Sequence, residues 1–183
     1  MPQRYVISGC SGSGKSTLLD ALAVRGETVV QEPGRRVVRQ QMGAGEDGLP
    51  WGDAQRFVDL CAATAIADFD AVVAPCNRAF FDRSFVDVAA AVARTGLRMP
   101  AGLPDALRTK RYCTTVFMSP PWRELFRQDA ERRHGFDEAV AEYDALVPAY
   151  RGLGYRLEFL PSTSVVERLA FVLAVVAPIH RQR

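Results

Sequence analysis

The stretch VISGCSGSGKSTLLDAL, residues 6–22, decides the fold. Within it, Gly9-Cys10-Ser11-Gly12-Ser13-Gly14-Lys15-Ser16 fits the pattern G-x-x-x-x-G-K-[ST] in full. An apolar run, residues 4–8, precedes the glycines, and helical spacing of Leu18, Leu19, Leu22 and Ala23 follows them. Strand, glycine loop and helix in that order make a phosphate-binding loop. Glycines let successive backbone N–H groups turn inward around phosphate oxygens, where a Cβ would obstruct them. The new helix adds the positive end of its dipole. Gly9, Ser11, Gly12, Ser13, Gly14, Lys15, Ser16 and Thr17 are therefore the candidate nucleotide ligands. Lys15 is expected on the β/γ-phosphates and the Ser16 hydroxyl on Mg²⁺.

Outward from this motif, apolar runs alternate with helical patterns. Strands are expected at residues 4–8, around 28–31, at 78–82, 113–119 and 155–160. Helices are expected after the loop, at 35–42, from Asp53 to about Val73, at 84–95, near 104–111, from about Asp137 to Leu153, and at 164–176. Residues 43–52, GAGEDGLPWG, read as a loop. Short buried strands alternating with helices imply an α/β fold, a parallel sheet covered on both faces. A length of 183 residues fits one domain spanning the chain.

The strand RAFFD ends in Asp82, followed by Arg83. A carboxylate there suits the Mg²⁺-orienting role, with helix capping as the alternative. Glu32 is expected at the end of the second strand, before Pro33, and ligands of open parallel sheets bind beyond the carboxyl ends of strands. Glu32 or Asp82 could each take the proton from an attacking hydroxyl. Arg83 is a candidate phosphate ligand. Glu32, Arg35, Arg36 and Trp51 are candidates for the border of an acceptor site. Arg127, Arg132 and Arg133 fall in a charge-dense segment, about 120–137, where a phosphate-loop fold places a lid.

Composition narrows the function. Of 23 basic residues only Lys15 and Lys110 are lysines, so a lysine inside the glycine loop is not a product of composition. A net charge of +2 gives little general attraction to nucleic acid. The four cysteines show no C-x-x-C spacing, so no zinc site is readable. No signal peptide is evident, and the apolar run 169–177 is too short to span a bilayer. A cytoplasmic location is the expectation.

An N-K-x-D element after the fourth strand and an L-S-G-G-type element are both missing from the sequence. That argues against regulatory GTPases and transporter ATPases, and the chain is short for a hexameric remodelling ATPase. The kinase-like class remains, with strand order 2-3-1-4-5. In order along the chain, GCSGSGKSTLL, EPGRR, LPWGD, FFDRS, KRY, SPPW and DAERR resemble the small bacterial AAA domain family of P-loop ATPases. That family is related to nucleoside and nucleotide kinases. The resemblance implies ATP and Mg²⁺ as cofactors, Glu32 or Asp82 as base, Arg83 on phosphate, lid arginines closing on ATP, and residues 161–164 near the purine. The expected activity is transfer of the γ-phosphate to a small nucleoside- or nucleotide-like acceptor. The alternative is an ATPase or nucleotide switch acting through a protein partner.

Overall fold

The computed structural model describes residues 2–127 and 135–177. Five strands, β1 (Gln3–Gly9), β2 (Thr28–Val30), β3 (Arg78–Asp82), β4 (Thr115–Ser119) and β5 (Arg156–Phe159), form one sheet. Every pairing is parallel and the order is β2-β3-β1-β4-β5. Among the described residues, seven helices connect and cover them: α1 (Lys15–Val24), α2 (Pro33–Ala44), α3 (Ala54–Ala71), α4 (Phe85–Thr95), α5 (Leu103–Thr109), α6 (Phe136–Gly152) and α7 (Val165–Val176).

Strand alternation sorts the core into two layers. Tyr5, Ile7, Phe80 and Phe117 face α1 and α7, with Leu18, Leu22, Val172 and Val176 packed on them. Val6, Phe81, Val116 and Met118 point the other way, into the larger core under α2–α6. Both faces being buried is why the central strands read as unbroken apolar runs. No described helix is long and apolar enough to cross a membrane.

Two local details differ from the sequence expectation. α2 runs through Gly43 to Ala44 and ends at Gly45, which takes the left-handed conformation (φ 68°). The loop therefore starts two residues later than expected. β2 covers three residues, so Glu32 sits at the N-cap of α2 rather than on the strand itself. Asp53 caps α3 as its position suggests, accepting from the Arg56 N–H at 2.9 Å.

Candidate active site

The glycine loop leaves the carboxyl end of β1 at the centre of the sheet. Gly9 lies beside Ser119 of β4, and the Cys10 N–H donates to the Ser119 carbonyl at 2.9 Å. A Cβ built on Gly9 would stand 2.2 Å from that carbonyl oxygen, at a φ of +122°. Close approach and backbone conformation both require glycine there. Gly12 and Gly14 are also left-handed, at φ 77° and 80°, and Gly14 caps α1. The Ser13 hydroxyl donates to the Cys10 carbonyl at 2.6 Å, closing the loop on itself.

Lys15 is buried, and its Nζ donates to the Cys10 carbonyl at 2.7 Å and more weakly to that of Gly9 at 3.5 Å. Burial, helped by the nearby Arg83 charge, lowers its pKa, while Asp82 and Glu32 pull it back up. Ser16 and Thr17, in the first turn of α1, are exposed.

A residue with no obvious motif holds this loop in place. Arg168 of α7, 3% exposed, donates from Nη1 to the Ser13 carbonyl at 3.0 Å and from Nη2 to the Ser119 hydroxyl at 2.7 Å. Because a trans peptide sets C=O and the next N–H antiparallel, fixing the Ser13 carbonyl also fixes the direction of the Gly14 N–H. The guanidinium lies over the Trp122 ring, 5.9 Å from its centroid.

Asp82 ends β3 next to the loop, in register with Ile7. It is buried, and its Oδ1 has no hydrogen-bond partner. Burial and the neighbouring Glu32 charge push its carboxyl up to about 7, against the opposing pull of Lys15 and Arg83. Helix capping belongs instead to Ser84, whose hydroxyl accepts from the Val86 N–H at 3.0 Å in a capping box with Asp87.

Between them Arg83 adopts φ +64°, a conformation uncommon for a residue with a side chain. Its N–H still donates to the Ile7 carbonyl at 3.1 Å, so β1 and β3 remain joined while the side chain swings aside. There it meets Glu32 at 3.2 Å, Asp87 at 3.3 Å and Glu142 at 3.9 Å. Burial opposes its charge, but these carboxylates and Asp82 more than offset that and raise its pKa. Asp87 is itself tied down by the Ser8 and Tyr150 hydroxyls, each at 2.5 Å, and by the Ser84 N–H at 2.9 Å.

Beside Arg83 opens a cleft of about 200 Å³ between α2, α3, α4 and α6. Ser11 of the glycine loop forms part of its wall and connects it to the phosphate end. Val38, Phe57, Val58 and Leu146 supply an apolar interior, while Glu32, Arg35, Arg94 and Glu142 supply charge. Cys61 also lines it, and burial, with Glu32 nearby, raises the thiol pKa.

The structure brings Lys15, Glu32, Asp82, Arg83 and Arg35 together. Arg36 does not join them: its guanidinium pairs with Asp68 of α3 at 2.7 Å, outside the cleft. Trp51 is 38% exposed, and Pro50 is the residue of that loop on the cleft wall. Arg127 is exposed and donates to the Glu124 and Phe126 carbonyls at 3.0 and 2.7 Å. Arg132 and Arg133 lie outside the described residues. Asp87, Arg94, Glu142 and Arg168 were not singled out by motif. Arg168 does carry a signal, since it repeats with the buried Val172 and Val176 at helical spacing, a charge set on an apolar stripe.

The family model described as AAA domain matches residues 4–168. The chain belongs to that family. The match runs from β1 to Arg168, so it spans both the glycine loop and the α7 residue that holds it. Among solved structures the family member is similar to deoxyadenosine kinase from M. mycoides, at a TM-score of 0.68 and 11% identity, covering 95% of this chain and 98% of that one. It is also similar to thymidylate kinase from Ehrlichia chaffeensis, at a TM-score of 0.63 and 17% identity, covering 96% and 98%. At these identities the likeness is one of fold, the P-loop kinase fold with its 2-3-1-4-5 sheet. No curated protein matches the chain significantly.

Proposed function

We propose that this AAA-domain protein is an Mg²⁺-dependent phosphotransferase that moves the γ-phosphate of ATP to a small acceptor held in the cleft beside Arg83. The observation that carries this reading is the shared wall. Ser11 belongs to both the glycine loop and the cleft, and Asp82 and Arg83 are consecutive, so a phosphate on the loop and an acceptor in the cleft are neighbours. The nucleoside and nucleotide kinases of the same fold lend support.

In this reading Lys15 and the loop N–H groups bind the β- and γ-phosphates. The Ser16 hydroxyl and the unpartnered Oδ1 of Asp82 would hold Mg²⁺. Mg²⁺ suits so few protein ligands because it keeps waters and phosphate oxygens in its shell. When bound, the ion neutralises charge on the transferring phosphoryl group.

Glu32 lies on the cleft wall, whereas Asp82 does not, and so Glu32 is assigned the proton from the acceptor hydroxyl. That oxygen bonds to the γ-phosphorus as the bond to the β–γ bridging oxygen breaks, and ADP leaves. Arg83 holds Glu32 and stands where charge accumulates. Arg127, Arg132 and Arg133 are assigned to a lid, about 120–137, that adds cations around ATP.

Incubation with γ-labelled ATP, Mg²⁺ and pooled small metabolites tests the proposal. Label on an organic acceptor is the expected result. Label appearing only as inorganic phosphate, whatever the pool, replaces it with an ATPase or nucleotide switch.

A further inference from the structure

The charges on the cleft wall bear on what the acceptor can be. Three arginines line it, Arg35, Arg83 and Arg94, and each already faces a carboxylate of the same wall. Arg35 lies 3.5 Å from Glu32, and Arg94 lies 3.9 Å from Glu142. Arg83, the most enclosed, is shared by Glu32, Asp87 and Glu142. With three cations against three anions, the described wall has no excess positive charge for a ligand.

A phosphomonoester or carboxylate acceptor would have to draw an arginine away from its partner. The abandoned carboxylate would then be left unpaired in a partly buried site, beside a second anion. Breaking a partly desolvated pair in this way is costly, because the remaining charge has lost much of its water and has no partner. Asp87 is the least able to adapt, being buried and held by the hydroxyls of Ser8 and Tyr150.

A neutral hydroxyl imposes no such cost. It can donate to Glu32 and leave every ion pair intact. Beyond the charged end, Val38, Phe57, Val58 and Leu146 offer an apolar slot suited to a flat or weakly polar body. A volume of about 200 Å³ is below the range usual for drug-sized ligands, which limits the occupant to roughly one ring system and its sugar-sized appendage.

We infer that the acceptor is an uncharged, hydroxyl-bearing small molecule with an apolar body, nucleoside-like in size and polarity, and not its phosphorylated counterpart. The inference deepens the kinase reading proposed above, but the selectivity of the cleft can be measured without turnover.

The test uses the whole protein with its nucleotide site saturated by Mg²⁺ and a non-hydrolysable ATP analogue. Nucleosides and pentoses are titrated calorimetrically beside their 5′-monophosphates. At least one uncharged compound should bind at least tenfold more tightly than its monophosphate. In Glu142→Gln, which frees Arg94 and partly frees Arg83, monophosphate affinity should rise at least tenfold. Tighter binding of monophosphates by the wild-type protein overturns the inference, as does a panel in which no uncharged member binds. The same compounds are then assayed with γ-labelled ATP. Preference for uncharged ligands with label released only as inorganic phosphate removes the kinase reading and leaves the cleft inference standing. Label carried onto monophosphates alone does the reverse.

Discussion

Arg168 donates to the Ser13 carbonyl at 3.0 Å across 155 residues of chain, so the last helix described in the structure fixes the curvature of the first loop. The bond to Ser119 from the same guanidinium ties in β4 as well. Arg168→Met keeps the volume but releases both acceptors. With the loop amides binding the nucleotide as proposed, KM for ATP should rise at least roughly tenfold, equivalent to losing one hydrogen bond to a charged group. Arg168→Lys should recover little, since a single ammonium does not reproduce the guanidinium fork. An unchanged KM in both variants at a temperature where they are folded would reduce Arg168 to a packing residue.

Lys15→Ala should retain the fold and lose turnover, by about 10²–10³-fold if it behaves like other deleted transition-state donors. Its removal also takes a desolvated ammonium out of the interior, so the melting temperature should stay level or rise. Circular dichroism and the labelled-ATP assay together check both halves. Full activity in the purified variant sinks the assignment.

Asp82 shows the same tension between stability and chemistry. Its folded pKa lies above the ordinary carboxylate value, so ionising it costs more in the folded protein than in the unfolded chain. The stability it contributes is fully present below about pH 4 and is lost as pH rises through about 7. Asp82→Asn, measured without metal or nucleotide, should therefore be several degrees more stable than wild type near pH 8, with the difference shrinking toward pH 4. Mg²⁺-dependent turnover should collapse in the same variant. A lower melting temperature at pH 8 would contradict the account of a penalised carboxylate.

Two glycines separate conformational strain from collision. Gly9 and Gly26 both have positive φ, +122° and +85°, but only Gly9 has backbone at 2.2 Å from a built Cβ; Gly26 has open space. Gly26→Ala should cost about 1–2 kcal/mol. Gly9→Ala should cost about 3 kcal/mol or more, because β4 must move away from β1. Urea unfolding of the two variants gives the comparison, and equal losses would show that Ser119 yields readily.

Tyr150→Phe removes one hydroxyl that serves both Asp87 and Ser84, at 2.5 and 2.7 Å. With Asp87 left short of a donor in a buried setting, a loss of about 1–3 kcal/mol is expected in the same unfolding measurement. A neutral result would mean that Ser8, Ser84 and Arg83 satisfy Asp87 without the Tyr150 hydroxyl.

The elements legible in the sequence were those defined by local rules. The glycine loop, the apolar β3 ending in Asp82, and the Asp53 cap each carry their signal within a few residues. Gly43 misled because glycine reads as a breaker, yet one glycine inside a helix costs only about 1 kcal/mol. α2 continues past it to a better stop at Gly45, and the Gln41 side chain accepts the Gly48 N–H at 3.0 Å to anchor the turn. Arg36 could not be sorted from Arg35 by sequence, because both follow Pro33 and only the docking of α3 places Asp68 within reach. The Arg83–Asp87–Glu142 assembly was illegible for the same reason. Its members come from the turn after β3, from α4 and from α6, and no spacing rule relates Glu142 to the others. Arg168 was readable in principle, as a charge on an apolar stripe, but its partner was not.

The left-handed turn at Arg83 has a consequence for how such a protein can change. Under the proposed function, the partition between the ATP side and the acceptor side is a single residue thick, since Arg83 lines the cleft and Asp82 does not. Selectivity cannot be rebuilt from that side without disturbing the groups proposed to hold Mg²⁺. The opposite wall, which includes Pro50, Phe57, Val58, Ala91 and Ala145, contains none of the residues proposed to bind phosphate or Mg²⁺. New acceptors should be acquired there, by resculpting a pocket around a fixed partition, which gives one catalytic end a route to many substrates.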